Sequence, residues 1–193
     1  MNHRYFIFLF LCSFFVSPAY SAENAKPIVC NQEYALCTSA SCVPDPRHPE
    51  YAICSCVVET GDSVGFKTCA KRTPKQGKFK VKEITSTFSF KQFDTKKSMN
   101  CARGTPWTNC VDAPCTVNPM DAAKALCSCK IIHNEAFFTF GGDCDTSSCG
   151  TGFWSGANVT MGNSLRIALF DKLNIIQNPW PNNSCTAADM KKK

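Results

Sequence analysis

The sequence predicts a small disulfide-rich protein, mostly β or α+β, built as a tandem duplication of a module of about 73 residues. Three observations predict this fold class: an N-terminal secretory signal, 14 cysteines in the chain that follows it, and a cysteine pattern that occurs twice. Such a density of cysteine in a secreted chain is typical of a disulfide scaffold. A module of this size buries too little apolar surface to be comfortably stable without bridges.

The first 21 residues have the features of a secretory signal peptide. Arg4 supplies the positive charge, and residues 5–16 form an apolar run interrupted only by Ser13. Residues 19–21 supply the small residues of a cleavage site, so the predicted mature chain begins at Ala22. An apolar run of 12 residues is too short to cross a bilayer, which needs about 20. We therefore predict a secreted or periplasmic protein with no membrane span after cleavage.

The pattern C-x4-C-x11-C-S-C occurs twice without an insertion. All four cysteines of the second copy lie 73 residues after their counterparts, and several other residues match at the same offset. The duplication predicts two units after the signal: residues 22–100 with a basic strand segment, and residues 101–193 with a C-terminal helix and tail. The first copy of the pattern comprises Cys37, Cys42, Cys54 and Cys56, and the second comprises Cys110, Cys115, Cys127 and Cys129.

Each half carries an even number of cysteines, so each can be oxidised by internal bridges. Cys149 and Cys185 have no counterpart in the first half, and we predict that they pair with each other. The six cysteines that the halves share allow 15 connectivities, among which the sequence does not choose. A bridge within C-S-C is excluded because so short a loop strains the bond. The shared six are Cys30, Cys37, Cys42, Cys54, Cys56 and Cys69 in the first half, and Cys101, Cys110, Cys115, Cys127, Cys129 and Cys144 in the second.

The two C-S-C runs, YAICSCVV at 51–58 and KALCSCKI at 124–131, are predicted β-strands because they contain β-branched residues and no glycine or proline. Alternate residues of a strand share a face, so the two cysteines of each run point the same way. Each pair can then reach two different partners on neighbouring elements. In the first half, a turn at 59–62 leads to a predicted hairpin partner at 64–69.

In the second half, a turn at 133–135 leads to a predicted strand at 136–142. Leucines spaced four residues apart predict one amphipathic helix over 161–176. The proline that opens 119–126 is well placed to start a helical turn before the strand. These elements complete a fold dominated by strands and loops.

The segment between the two C-S-C runs combines strand signals with positive charge. Alternating residues predict strands at 78–82 and 84–90, with a register break near Glu83. The stretch 71–82 contains six basic residues and no acid, which predicts either a surface for an anionic partner or an edge strand whose lysines prevent association. The basic residues are Lys71, Arg72, Lys75, Lys78, Lys80 and Lys82.

A second candidate binding surface is the loop 149–160, which carries Phe153 and Trp154 between glycines. Aromatic side chains in such a loop suit stacking on sugar rings, or else they cover disulfides and fill small cores. The same segment contains an N-glycosylation sequon at Asn158, which has meaning only in a eukaryote.

The sequence favours disulfides over a metal or catalytic site. Paired thiolates suit Cu(I) or zinc, and His133 lies four residues beyond Cys129. However, the corresponding position in the first half is Thr60, and neither copy has the C-x2–4-C spacing of structural zinc sites. His48 and His133 lie outside the repeat, and no G-x-S-x-G or H-E-x-x-H motif occurs. We therefore predict no metal, no cofactor and no catalytic residue.

These observations favour a secreted or periplasmic binding protein without catalytic activity. Its predicted partner is a macromolecular surface, either anionic or a glycan, reached through the basic stretch or the aromatic loop. One alternative is a secreted hydrolase whose carboxylates the sequence does not reveal, for which a deep cleft lined by two or more acids would be evidence. Another is a cysteine-rich inhibitor or structural protein.

Overall fold

The computed structural model describes residues 25–37, 40–89, 91, 97–141 and 153–174. It has a mainly β fold, which confirms the predicted small, disulfide-rich, mostly β class. No helix in these ranges is long and apolar enough to span a membrane. The strands are β1 (Ile28–Leu36), β2 (Cys42–Pro44), β3 (Tyr51–Gly65), β4 (Lys75–Gln76), β5 (Lys82–Thr87), β6 (Lys97–Cys101), β7 (Trp107–Asn109), β8 (Pro114–Asn118), β9 (Asp121–Ile132), β10 (Phe137–Gly141) and β11 (Ser155–Gly156). The helices are α1 (Cys69–Arg72) and α2 (Val159–Leu173), and Lys78–Lys80 form a 3-10 turn.

Five of the strands pair in a closed circuit. β3 pairs with β9, β9 with β8, β8 with β5 and β1 with β3, all antiparallel, and a parallel pairing of β5 with β1 completes the circuit. β2, β4 and β7 pair with β3, β5 and β9, and β11 pairs in parallel with β7. β6 and β10 form a separate antiparallel pair. Because the circuit closes, the inward side chains of its strands share one enclosed core.

The central pairing joins the two C-S-C strands to each other. Cys54 lies opposite Cys127, so residues that hold the same place in the two copies of the cysteine pattern face each other. The register is reciprocal around this point, with Ala52 opposite Cys129. The flanking pairings of β1 with β3 and of β7 with β9 also share one register, shifted by 73 residues.

The four cysteines of each pattern form two bridges with the same connectivity. In both halves, the first cysteine of C-S-C bonds to a cysteine 12 residues earlier and the second to a cysteine 19 residues earlier. This confirms that the two cysteines of each run reach two different partners. The bridges are Cys42–Cys54 and Cys37–Cys56 in the first half, and Cys115–Cys127 and Cys110–Cys129 in the second.

A fifth described bridge joins Cys30 in β1 to Cys69 in α1. Cys101 is disulfide-bonded as well. Cys144 lies outside the described residues, as does the predicted pairing of Cys149 with Cys185.

The four bridges of the two C-S-C strands lie in one core. This cluster is built mainly from half-cystines and alanines, and Cys110 Sγ lies 3.5 Å from Cys54 Sγ, so bridges of different halves touch. A second cluster contains Phe88 of the first half with Leu165 and Leu169 of α2. The helix predicted over 161–176 is thus present at 159–173; of the leucines in the predicted spacing, Leu165 and Leu169 are buried, whereas Leu173 is exposed.

The first half contains no hairpin where one was predicted. The turn at 59–62 and the partner strand at 64–69 are wrong, because β3 continues as one strand to Gly65. β1 pairs with residues 57–65 of β3, so β1 makes the backbone hydrogen bonds that a hairpin partner would have made. Gly61 lies within this strand with a φ of 132°, a conformation that glycine adopts readily because it has no side chain.

The helical turn predicted over 119–126 is also wrong. Residues 119–120 form the turn of a β8–β9 hairpin, and β9 begins at Asp121. The strand predicted at 136–142 is present as β10 after a turn at 133–135, but it pairs with β6. Short local signals therefore located the elements better than they chose between helix and strand.

The basic segment is a turn followed by one strand. The predicted strand at 78–82 is wrong, because 78–80 form a turn in which Phe79 has a φ of 56°. β5 then begins at Lys82 and continues through Glu83 without a register break, pairing with β8. The strand predicted at 84–90 is present only as far as Thr87, where β5 ends.

Candidate functional site

A groove of about 620 Å³ lies between the outer face of the sheet and the basic segment that follows β3. Its floor comes from side chains that alternate with core cysteines, because neighbours in a strand point to opposite faces. Ile53 precedes Cys54, and Leu126 and Ser128 flank Cys127. Leu126 is 55% exposed, so the floor presents apolar surface to solvent.

The wall of the groove is the segment 67–75, which is anchored to the body at three points. Cys69 is bridged to β1. The Arg72 guanidinium donates to a β1 carbonyl oxygen at 2.6 Å. The backbone N–H of Lys67 donates to the carboxylate of Asp112 at 2.9 Å. A segment with little regular structure of its own is therefore held in place by contacts with its neighbours.

Positive side chains outnumber negative ones along the groove. Arg47, Lys67, Lys71 and Lys75 line it, against Glu83. Lys75 Nζ lies 3.3 Å from Glu83 Oε2, whereas Lys71 has no ion pair with any described residue. An exposed ion pair of this kind contributes little energy. The groove therefore has a net positive field over a partly apolar floor.

The structure brings two of the six predicted basic residues into the groove, Lys71 and Lys75. Arg72 is not a surface residue, because α1 directs it towards β1 and its side chain is 0% exposed. Its assignment to the binding surface was wrong. The other predicted residues are exposed but do not line the groove; they are Lys78, Lys80 and Lys82.

The described part of the aromatic loop takes part in strand pairing instead of lining the groove. The backbone N–H of Thr108 donates to the Trp154 carbonyl at 2.9 Å, and the N–H of Phe153 donates to the Pro106 carbonyl at 2.8 Å. Both aromatic side chains are partly buried. The first residues of the predicted loop, 149–152, lie outside the described ranges.

Sulfur atoms from three or more cysteines lie within 4.8 Å of one another in the core, for example those of Cys37, Cys110 and Cys129. All of these cysteines are in disulfides, so they carry no thiolate charge with which to hold a cation. His133 is exposed in its turn and is not part of this cluster. The cluster is the packed core of the fold.

Asp45 orders the loop that carries Arg47. Its Oδ1 accepts a hydrogen bond from the backbone N–H of Arg47 at 2.9 Å, and its Oδ2 lies 3.0 Å from His48 Nδ1. The Arg47 bond first, and then the His48 contact, lower the pKa of the Asp45 carboxyl. The loop is thereby held at the rim of the groove.

Sequence reasoning missed Arg47, Lys67, Ile53 and Leu126 as groove residues. Arg47 and Lys67 lie outside the basic stretch 71–82 in the sequence, and only the fold places them beside Lys71 and Lys75. The two apolar residues could have been found, because the neighbours of core cysteines in a strand must face outward.

Comparisons with protein-family models, with curated proteins and with solved structures found no match.

Proposed function

We propose that the protein is a binding module without catalytic activity of its own, and that its groove takes an anionic macromolecule. The observation that carries this proposal is the excess of basic side chains over one apolar floor, with Lys71 unpaired by any described residue. A groove of one charge sign concentrates ligands of the opposite sign. The disulfides are compatible with an extracellular or periplasmic location, where such a partner would be met.

Among anionic macromolecules, the groove best suits an acidic glycan that carries sulfate or carboxylate groups. Hydroxyl groups of Thr85, Thr116 and Ser128 lie along the floor beside the apolar side chains. These hydroxyls can bond to sugar hydroxyls while lysine and arginine meet the acidic groups. An acidic polypeptide would use the same charges but would have less need of the hydroxyls.

The test compares two double variants that each remove two positive charges. R47S/K71S removes charges that line the groove, and K78S/K80S removes exposed charges from the turn outside it. Binding to heparin is measured by titration calorimetry at several salt concentrations. We expect R47S/K71S to weaken binding by about tenfold and to lower its salt dependence, because two contacts with anionic groups are lost. K78S/K80S should bind nearly as well as the wild type.

Equal losses in both variants would show a diffuse attraction to a basic chain instead of a groove. No loss in R47S/K71S, or no binding by the wild type, would remove the proposal. Polyglutamate provides the second arm: if it binds more tightly than heparin, the partner is an acidic polypeptide.

The hydrolase alternative has less support. Glu83 is the carboxylate residue among the described lining residues, and Lys75 lies beside it. A mechanism with two carboxylates would need a second acid at this groove.

The same proposal includes the tandem duplication inferred from the sequence. Its support is the shared connectivity of the bridges and the shared register of the flanking strands.

A further inference from the structure

The Cys30–Cys69 bridge differs from the other described disulfides in its surroundings. Cys69 is the one exposed half-cystine among the described residues, whereas Cys30 is buried at 4% exposure. The bridge lies at the edge of the fold and joins α1 to β1. The four bridges of the two C-S-C strands lie in the shared core instead. Cys69 is therefore the half-cystine from whose side a thiol in solvent can approach this bridge.

A buried guanidinium lies against the inaccessible sulfur. Arg72 is 0% exposed, and its Nη2 contacts Cys30 Sγ. Its Nε and Nη1 have no hydrogen-bond partner among the described residues. Asp112 interacts with this cation at longer range, while its Oδ2 accepts from the backbone N–H groups of Phe66 and Lys67.

Among the described residues, no anion is in contact with this buried positive charge. A buried charge whose carboxylate partner is not in contact is unfavourable, and burial lowers the pKa of Arg72 although Asp112 opposes this shift. A thiolate at Cys30 would supply an anion in direct contact, at the place where the guanidinium already contacts the sulfur. A neighbouring arginine stabilises a cysteine thiolate, and a more stable thiolate is a better leaving group in disulfide exchange.

We propose that Cys69 is a site of thiol–disulfide exchange with small thiols of the glutathione class. The thiolate of the small molecule attacks Cys69 Sγ and forms a mixed disulfide there. The Cys69–Cys30 bond breaks, and its electron pair leaves on Cys30 as a thiolate beside Arg72. The incoming sulfur is oxidised and the Cys30 sulfur is reduced, so no further oxidant or reductant is needed. Attack by the Cys30 thiolate on the mixed disulfide restores the bridge and releases the small thiol.

The experiment maps the first bridge to open in the oxidised mature chain. Native protein is incubated with reduced glutathione, quenched in acid at increasing times, alkylated, and analysed by peptide mass mapping. We expect a glutathione adduct on Cys69 together with an alkylated Cys30, before any core cysteine is labelled. An adduct on Cys30, or a core bridge that opens first, would overturn the proposal. This measurement needs no variant, so it remains decisive whether or not substitutions at Arg72 fold.

Two variants test the role of the guanidinium. R72M removes the charge and keeps an unbranched side chain, and we expect it to slow adduct formation about tenfold. K78M is the matched control: it removes an exposed charge from the turn at 78–80, outside the groove, and it should leave the rate with neutral 2-mercaptoethanol unchanged. An R72M protein with native near-ultraviolet circular dichroism and an unchanged rate would contradict the role of Arg72. Equal slowing in both variants with the neutral thiol would contradict it as well.

Discussion

Tyr34 and Trp107 lie at corresponding places in β1 and β7, and both side chains are fully buried. Large aromatic side chains supply much of the apolar burial in a small core. Desolvation raises the pKa of the Tyr34 phenol to about 12 from its ordinary value of 10.0. The phenol therefore stays neutral in the folded protein at a pH at which it ionises in the unfolded chain.

This shift predicts a loss of stability in alkali. The contribution of the buried Tyr34 phenol to stability is fully present below about pH 10. It is lost as the pH rises towards 12, since the unfolded state then binds fewer protons than the folded state. Between pH 9 and pH 12 the free energy of unfolding of the wild type should fall by about 2 to 3 kcal/mol more than that of Y34F. Urea titration at each pH measures both. Parallel pH profiles would show that the phenol is not the cause.

Asn158 caps the N-terminus of α2. Its Oδ1 accepts from the backbone N–H of Met161 at 2.8 Å, and its Nδ2 donates to Glu135 at 2.7 Å. Both ends of the amide are engaged, so this sequon residue has a structural role whatever the source of the protein. Its position before Val159 follows the preference of asparagine for helix caps.

N158A should lower the free energy of unfolding by about 1 kcal/mol, because the cap hydrogen bond is lost. T160A is the control: it destroys the sequon but leaves the cap, and it should stay within about 0.5 kcal/mol of the wild type. Chemical denaturation measures both variants. An N158A protein as stable as T160A would mean that the helix does not depend on this cap.

At the scale of elements, the C-S-C strands combine two patterns. Cysteines at alternate positions point into the core, and the residues between them form the groove floor. The sequence alone predicted the strands and the shared direction of the cysteines, because strand periodicity is local. It did not predict that β3 and β9 pair with each other, since strand pairing depends on residues far apart in the chain.

Removing one bridge from each half should have matching effects. C42A/C54A and C115A/C127A each open a bridge with a sequence separation of 12. Each double variant should lose about 3 kcal/mol of stability, by the greater freedom of its unfolded chain and by the cavity left in the core. Urea unfolding under non-reducing conditions measures the losses. A neutral effect in one half and a large effect in the other would show that the bridges are not equivalent.

At the scale of the whole molecule, strands of the two halves complete each other. β5 of the first half pairs with β8 of the second, and β3 pairs with β9. Likewise, the backbone of Ser41 in the first half pairs with that of Trp154 in the second, as an isolated antiparallel β-bridge. Neither half forms the strand circuit alone. The described disulfides of each C-S-C strand, by contrast, join cysteines of the same half.

We expect residues 22–100 or 101–193, expressed alone, to show no cooperative unfolding transition. Each half would expose its side of the shared core and an unpaired C-S-C strand. Circular dichroism during urea titration, with residues 22–193 as the control, tests this. A stable, cooperatively folded half would show two independent domains instead.

The sequence by itself determined the disulfide-rich β class, the strands that carry C-S-C, the two-partner use of their cysteines and the helix near 161–176. These features follow from local periodicity and from the burial of cystine. Only the tertiary structure decided that both halves share one core, that Arg72 is buried and that Arg47 joins Lys67 and Lys71 at one groove. These features depend on contacts between segments distant in the chain, and a sequence read in order does not contain the distances between them.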